Sequence, residues 1–239
     1  EAQQPLTENY IMSTATSMKI SKKTLDILKN FASINSNILV HPGNKITTIS
    51  PVKNVLAEAT VEETFDTEFG IWDLNKFLGV VSLFNDPEFE FEEKYVRISG
   101  SNGSVKYHYC EPKLLTVPNK KINMPSTAIS FTLTQKKFAE LQKAASVLQV
   151  SDISVSNDGS LISMTALDKA DVSSNTYSIG VGEYGGSNSF EMFFKIENLK
   201  LLTGDYDVEI CEKVVSKFSN QSMNLNYWIA LEADSNFSK

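Results

Sequence analysis

Arginine, histidine and cysteine are nearly missing from this chain. Arg97 is the single arginine beside 21 lysines, and there are two histidines, His41 and His108, and two cysteines, Cys110 and Cys211. So few imidazoles and thiols leave a metal centre short of ligands, and the cysteine spacing matches no zinc pattern. Two buried free thiols in a reducing compartment are the expectation, with a structural pair as the alternative. No apolar run approaches the roughly 18 residues that span a bilayer, so no membrane partner is expected. Residues 1–17 lack the basic flank and apolar block of a signal peptide. They read as a flexible polar leader or a cloning remnant, with Met12 and Met18 both suited to be a natural start.

Catalytic signatures are missing as well. There is no Walker A, GxSxG or HExxH motif. His108 and Cys110 share a face if they lie on one strand, the geometry of a base and a nucleophile, but no oxyanion donors or third group can be assigned to them. The acidic run over residues 86–93 alternates Glu with Phe, which suits a strand with one wet face better than a metal site. The glycine-rich stretch 182–186 precedes no helix and so is not a phosphate cradle. Neither an enzymatic activity nor a cofactor is expected.

What the chain does have is lysine, unevenly placed. Four segments read as helices: 19–33, 72–84, 134–148 and 195–202. The first puts Ile20, Ile27, Phe31 and Ile34 on one side at helical spacing and Lys22 and Lys29 on the other. Ser21 suits its N-cap. The second carries Leu74, Phe77, Leu78 and Val81, and the third Phe138, Leu141, Ala145 and Leu148; Gly204 can end the fourth. Ten lysines fall in these segments: Lys19, Lys22, Lys23, Lys29, Lys76, Lys136, Lys137, Lys143, Lys195 and Lys200. Against four acids they make the segments net +6, which leaves −13 for the rest of a chain whose total is −7. Lysine on the solvated face of one helix is ordinary; the same bias on four helices of an acidic protein is not. A positive surface of mobile lysine point charges, with almost no arginine for bidentate contacts, suits sequence-blind contact with phosphates.

The helical pattern repeats. Residues 22–29 and 136–143 both read Lys-Lys-x-x-acid-apolar-x-Lys, 114 residues apart. Each is followed by apolar alternation around a glycine turn: 38–49, turning at Pro42-Gly43-Asn44, and 153–167, turning at Asn157-Asp158-Gly159. Strand patterns at 55–61 and 65–71 precede the second helix of the first half, and 177–181 and 189–194 precede that of the second. Strands at 95–99 and 105–109 complete the first half; 207–211, 214–218 and 225–231 complete the second. Between the copies, residues 111–126 hold Pro112, Pro118 and Pro125 without amphipathic period and read as an extended connector. The expectation is an α+β protein of two similar domains, 18–110 and 127–239.

Four local signatures are spread in order along the chain: Leu28-Lys29-Asn30-Phe31-Ala32-Ser33-Ile34-Asn35-Ser36, Asp73-Leu74-Asn75-Lys76-Phe77-Leu78-Gly79, Val117-Pro118-Asn119-Lys120 and Ala230-Leu231-Glu232-Ala233-Asp234-Ser235. They carry a resemblance, over residues 18–234, to the DNA polymerase sliding clamps of T-even-type bacteriophages. It implies a DNA-clamp fold with helices lining a hole and antiparallel sheets outside, in a head-to-tail homotrimer that encircles duplex DNA. It also implies an ATP-dependent clamp loader and the replicative DNA polymerase as partners, and the cytoplasm of the infected bacterial host as the location. The ten lysines would face DNA. Partner peptides would enter an apolar pocket near the connector, matching Leu114, Leu115, Val117, Leu231 and Ala233 here. Two other classes stay open on the residues alone: an oligomeric phage structural β-protein without a DNA role, and a small hydrolase with an unrecognised site.

Overall fold

A computed structural model of the chain describes residues 17–119 and 123–238. Residues 1–16 of the expected leader, and residues 120–122 of the connector, lie outside the described residues. The first half runs β1 (Ser17–Met18), α1 (Lys22–Ile34), β2 (Ile38–Val40), β3 (Gly43–Ile49), β4 (Val55–Phe65), β5 (Phe69–Ile71), α2 (Leu74–Val81), β6 (Glu88–Phe91), β7 (Tyr95–Gly100) and β8 (Gly103–His108). A 3-10 turn at Pro112–Leu114 opens the connector. The second half runs β9 (Ile129–Leu133), α3 (Gln135–Leu148), β10 (Asp152–Asn157), β11 (Leu161–Leu167), β12 (Tyr177–Glu183) and β13 (Ser189–Lys195). It continues through a 3-10 turn at Ile196–Asn198 to β14 (Tyr206–Ile210), β15 (Val215–Asn220), β16 (Leu225–Ala230) and β17 (Asn236–Ser238). Strand, helix, four strands, a helix or turn, and three strands thus occur twice, with β17 added at the end.

The helices begin where the sequence marks them. Ser21 and Thr134 cap α1 and α3, accepting from the Thr24 and Lys137 amides, and Asp73 caps α2. Ile27, Phe31 and Ile34 of α1, and Phe138, Leu141 and Ala145 of α3, are buried at helical spacing. A carboxylate from β4 also fastens α1. Glu63, itself buried, accepts the Ser21 amide and the Thr24 hydroxyl, each at 2.5 Å.

Four sheets carry the rest, with strand orders β1-β6-β7-β8, β12-β11-β10-β13-β17, β3-β4-β16-β15-β14-β9 and β2-β5. The six-stranded sheet belongs to both halves. Its join is the antiparallel ladder of β4 and β16, with Ala57 opposite Tyr227 and Val55 opposite Ile229. Nothing local in the sequence marks this pairing, because its strands lie far apart in the chain.

Four expectations need correction. Residues 195–202 do not form an α-helix: Lys195 ends β13 opposite Asp152 on β10, and only a 3-10 turn follows. The alternation Phe190, Met192, Phe194 keeps the chain extended up to Lys195, whose amine meets the buried Asp152 carboxylate at 2.6 Å. Pro42-Gly43-Asn44 is not a hairpin turn, since β2 pairs with β5 and β3 with β4, and Gly43 already belongs to β3. The expected turn at 157–159 does close the β10–β11 hairpin, with Gly159 at φ +107°. Residues 55–65 are one strand rather than two segments, and β1, β9 and β17 were not expected at all.

Burial also sets how the fold tolerates alkali. It pushes the Tyr206 hydroxyl up to about 12 and raises those of Tyr227 and Tyr109 as well. Unfolded tyrosine ionises near pH 10, so these groups favour the fold fully below about pH 10. That contribution is lost as pH rises toward about 12. Thermal melts at pH 8 and pH 11 should differ, with the midpoint lower at pH 11. An unchanged midpoint would exclude ionisation-linked unfolding.

Candidate functional site

The ten lysines separate into two groups. The side chains of Lys22, Lys76, Lys136 and Lys143 are exposed and have no ion pair or hydrogen bond among the described residues. The other six are engaged. Lys19 pairs with Asp86, and Lys29 reaches Asp26 one turn away at 3.4 Å, an exposed contact of little strength. Lys23 donates to the Ser222 carbonyl at 3.1 Å and Lys137 to the Gly180 carbonyl at 2.7 Å. Lys200 donates to the Ser33 carbonyl at the end of α1, and Lys195 is committed to Asp152. The free ammonium groups therefore stand on α1, α2 and α3, and the two lysines expected from a fourth helix are tied to backbone or carboxylate.

The expected pocket residues do not share one face. Leu231 packs into the main core with 9% exposure, because β16 continues its alternation Leu225, Tyr227, Ile229, Leu231 on the inner side. Ala233 is exposed, in a segment held to the second half by Lys169, which pairs with both Glu232 and Asp234. Leu114 is exposed, Val117 half-buried and Leu115 buried.

Leu115 marks a better-defined site. It lies over Gly70 of β5, where a Cβ would come within 2.8 Å of its Cδ1, and Gly70 pairs with Leu39 of β2. Leu39, Ile49, Leu56 and Leu115 are buried yet stand outside the main core. Ile49 faces Leu56 across β3–β4, and Leu56 faces Trp228 across the join of the two halves. Asn35, at the C-cap of α1, donates to both the Ile49 and Thr116 carbonyls at 2.8 and 3.2 Å. Thr116 in turn donates its amide to Asn37 at 3.2 Å, so the connector is laced to the segment that follows α1. The signal was present in the sequence: Ile38-Leu39-Val40 and Val55-Leu56-Ala57 are apolar on both faces, as in strands covered on both sides.

Both cysteines are free, and burial pushes the Cys110 thiol up, away from the thiolate a nucleophile needs. Among the described residues no group of three His, Cys, Asp or Glu side chains could hold a metal, and no helix is long and apolar enough to cross a membrane.

Comparison with solved structures defines the fold as that of the DNA clamps. PCNA from A. fulgidus, solved with the C-terminal region of FEN-1, aligns at TM-score 0.70 over 92% of this chain and 99% of that one, at 12% identity. The Helicobacter pylori β clamp, bound to a DNA ligase peptide, aligns at TM-score 0.69 and 15% identity over 90% of this chain and 65% of its own length. Residues 19–108 match the family described as DNA polymerase processivity factor, and residues 130–233 match that described as gp45 sliding clamp, C terminal. The sliding clamp of Vibrio phage KVP40 is 33% identical over 222 residues, 90% of this chain and all of the relative. Those of Escherichia phage RB69 and Enterobacteria phage T4 are 32% and 31% identical over 226 residues, 91% of this chain and 98% of each relative. The chain belongs to the sliding-clamp family of T4-like phages, a family of DNA polymerase processivity factors.

Proposed function

We propose that three copies of this chain, each of two domains (18–110 and 127–239), close head to tail into a ring around duplex DNA. An ATP-dependent clamp loader places the ring, and the ring then tethers the replicative polymerase in the cytoplasm of the infected host. One observation carries this reading. The join of β4 and β16 has repeat counterparts in β12 and β8, and both counterparts are sheet edges. In the join, Val55, Ala57, Tyr227 and Ile229 are 0–3% exposed. At the open edges, Tyr177, Ile179, Val105 and Tyr107 are only half-buried. Unpaired edges with apolar side chains invite a second chain, and a head-to-tail contact closes into a ring when its rotation allows.

The free lysines suit the inside of such a ring. Three copies at −7 each carry −21, which disfavours DNA outside, while Lys22 and Lys136 recur at equivalent places on α1 and α3. At a Debye length of about 10 Å in 0.1 M salt, a duplex in the hole feels the lining lysines and little of the outer acids.

The test is synthesis on a primed circular template with loader and ATP. Long products that need both, and that disappear when the template is linearised, are expected. Equal product length without the chain would sink the reading. For the pocket, Leu115→Ser should weaken binding of the polymerase C-terminal tail about tenfold or more, by removing a buried apolar contact of about 2 kcal/mol, and leave the oligomer intact. Unchanged tail binding would remove Leu115 from the site.

A further inference from the structure

The chain contains one complete seam between clamp domains, and its open ends hold the two halves of another. Side-chain hydrogen bonds cross the complete seam. The Tyr227 hydroxyl donates to Asn30 of α1 at 2.7 Å, and Asn30 donates to the Lys200 carbonyl at 2.8 Å. The Lys200 amine reaches the Ser33 carbonyl at 2.6 Å, and Asn54 donates to Asn198 at 3.0 Å. Asn30, Ser33 and Asn54 belong to the first half; Tyr227, Asn198 and Lys200 belong to the second.

The repeat says what stands at the same places on the open halves. Its spacing of 114 residues puts Ala144 in the position of Asn30 and Val147 in that of Ser33. Tyr95 pairs with His108 at the end of the β7–β8 hairpin as Val215 pairs with Ala230 at the end of β15–β16. Three residues back from each end, Val105 occupies the place of Tyr227. The Asn30 amide and the Tyr227 hydroxyl are replaced by aliphatic groups, while Ser33, which serves the seam only through its backbone carbonyl, gives way to Val147, 74% exposed in the single chain. Two lysines keep their kind: Lys23, which reaches over to the Ser222 carbonyl, recurs as Lys137, and Lys200, five residues past the Asp152 partner Lys195, recurs as Lys76, five residues past the Ile38 partner Ile71.

We propose that the contact between copies is an apolar version of the intrachain seam. Val105 of one copy sits against Ala144 and Val147 of the next, under a β8–β12 ladder that brings Val105 opposite Ile179. No side-chain amide or hydroxyl takes the part of Asn30 and Tyr227. This seam is therefore the one that opens reversibly, and it opens further on cooling, because apolar contact weakens as temperature falls. It is not loosened by salt, since screening weakens exposed ion pairs and leaves apolar contact untouched. The proposal rests on the ring reading and specifies the chemistry by which that ring is held.

Sedimentation of the full chain tests it at about 5 and about 35 °C, in about 0.1 and about 0.5 M salt. Apolar closure predicts association at micromolar concentration that weakens several-fold on cooling and does not weaken with salt. Val147→Asp should raise the dissociation constant about tenfold or more, as expected for a charge placed in an apolar contact, with the far-ultraviolet spectrum of the chain unchanged. Ala144→Asn combined with Val105→Tyr, which transplants the Asn30–Tyr227 bond, should lower the constant more than the two single changes together. An association that salt weakens strongly, or that tolerates Val147→Asp, would overturn the apolar seam and leave the ring standing. A chain that stays monomeric under every condition would overturn the ring itself.

Discussion

Changing Lys22, Lys29, Lys136 and Lys143 together to glutamate should abolish loading onto DNA and leave the oligomer and its melting temperature nearly unchanged. Three of these side chains have no partner among the described residues, and the fourth holds only the exposed contact to Asp26. Folding therefore loses little: surface substitutions of this kind stay within about 0.5 kcal/mol. Toward DNA the effect is large. Four reversals take each chain from −7 to −15 and turn an attractive lining repulsive. Each phosphate that is no longer neutralised also flattens the salt dependence of binding by roughly one unit of slope. Glutamine at the four positions should be milder, removing attraction without adding repulsion. Loader-dependent retention on nicked circular DNA measures the outcome. Retention equal to the parent protein would reduce these lysines to surface decoration.

Replacing Glu63 by alanine should cost about 3 kcal/mol of stability, from two charge-assisted hydrogen bonds worth roughly 1.5 kcal/mol each. Its carboxylate holds the Ser21 amide and the Thr24 hydroxyl, and Thr24 is fully buried, so water cannot easily replace the missing acceptor. For a chain of this size the melting temperature should fall by roughly 6–12 °C. Glu63→Gln keeps one acceptor and should recover part of the loss. The change also bears on function, because these bonds anchor the first turn of α1, where Lys22 and Lys23 stand. Amide exchange should accelerate at residues 22–25 before the rest of α1. A melting temperature within a degree or two of the parent would show that Ser21 caps the helix without help from β4.

The parts of the fold that were legible in the sequence share a cause. The spacing of Ile27, Phe31 and Ile34, the caps at Ser21 and Thr134, and the Asn157-Asp158-Gly159 turn all report interactions between residues a few positions apart. So does the repeated Lys-Lys-x-x-acid-apolar-x-Lys helix, which made the doubling of the fold visible. Residues 195–202 carried a similar local pattern and still misled, since a partner 43 residues away, Asp152, holds Lys195 on a strand. The strands β1 and β17, of two and three residues, are too short to show a period.

By itself, the sequence determined that two copies of one helix-and-strand design follow each other, each opening on a helix whose exposed face carries lysines. Only the tertiary structure decided that β4 joins β16, which lysines remain free, and that Leu115 of the connector lies over Gly70 of β5 while Leu231 packs into the main core. Each of these depends on which distant strands pair, and a ladder between residues more than 150 positions apart leaves no periodic trace in either strand.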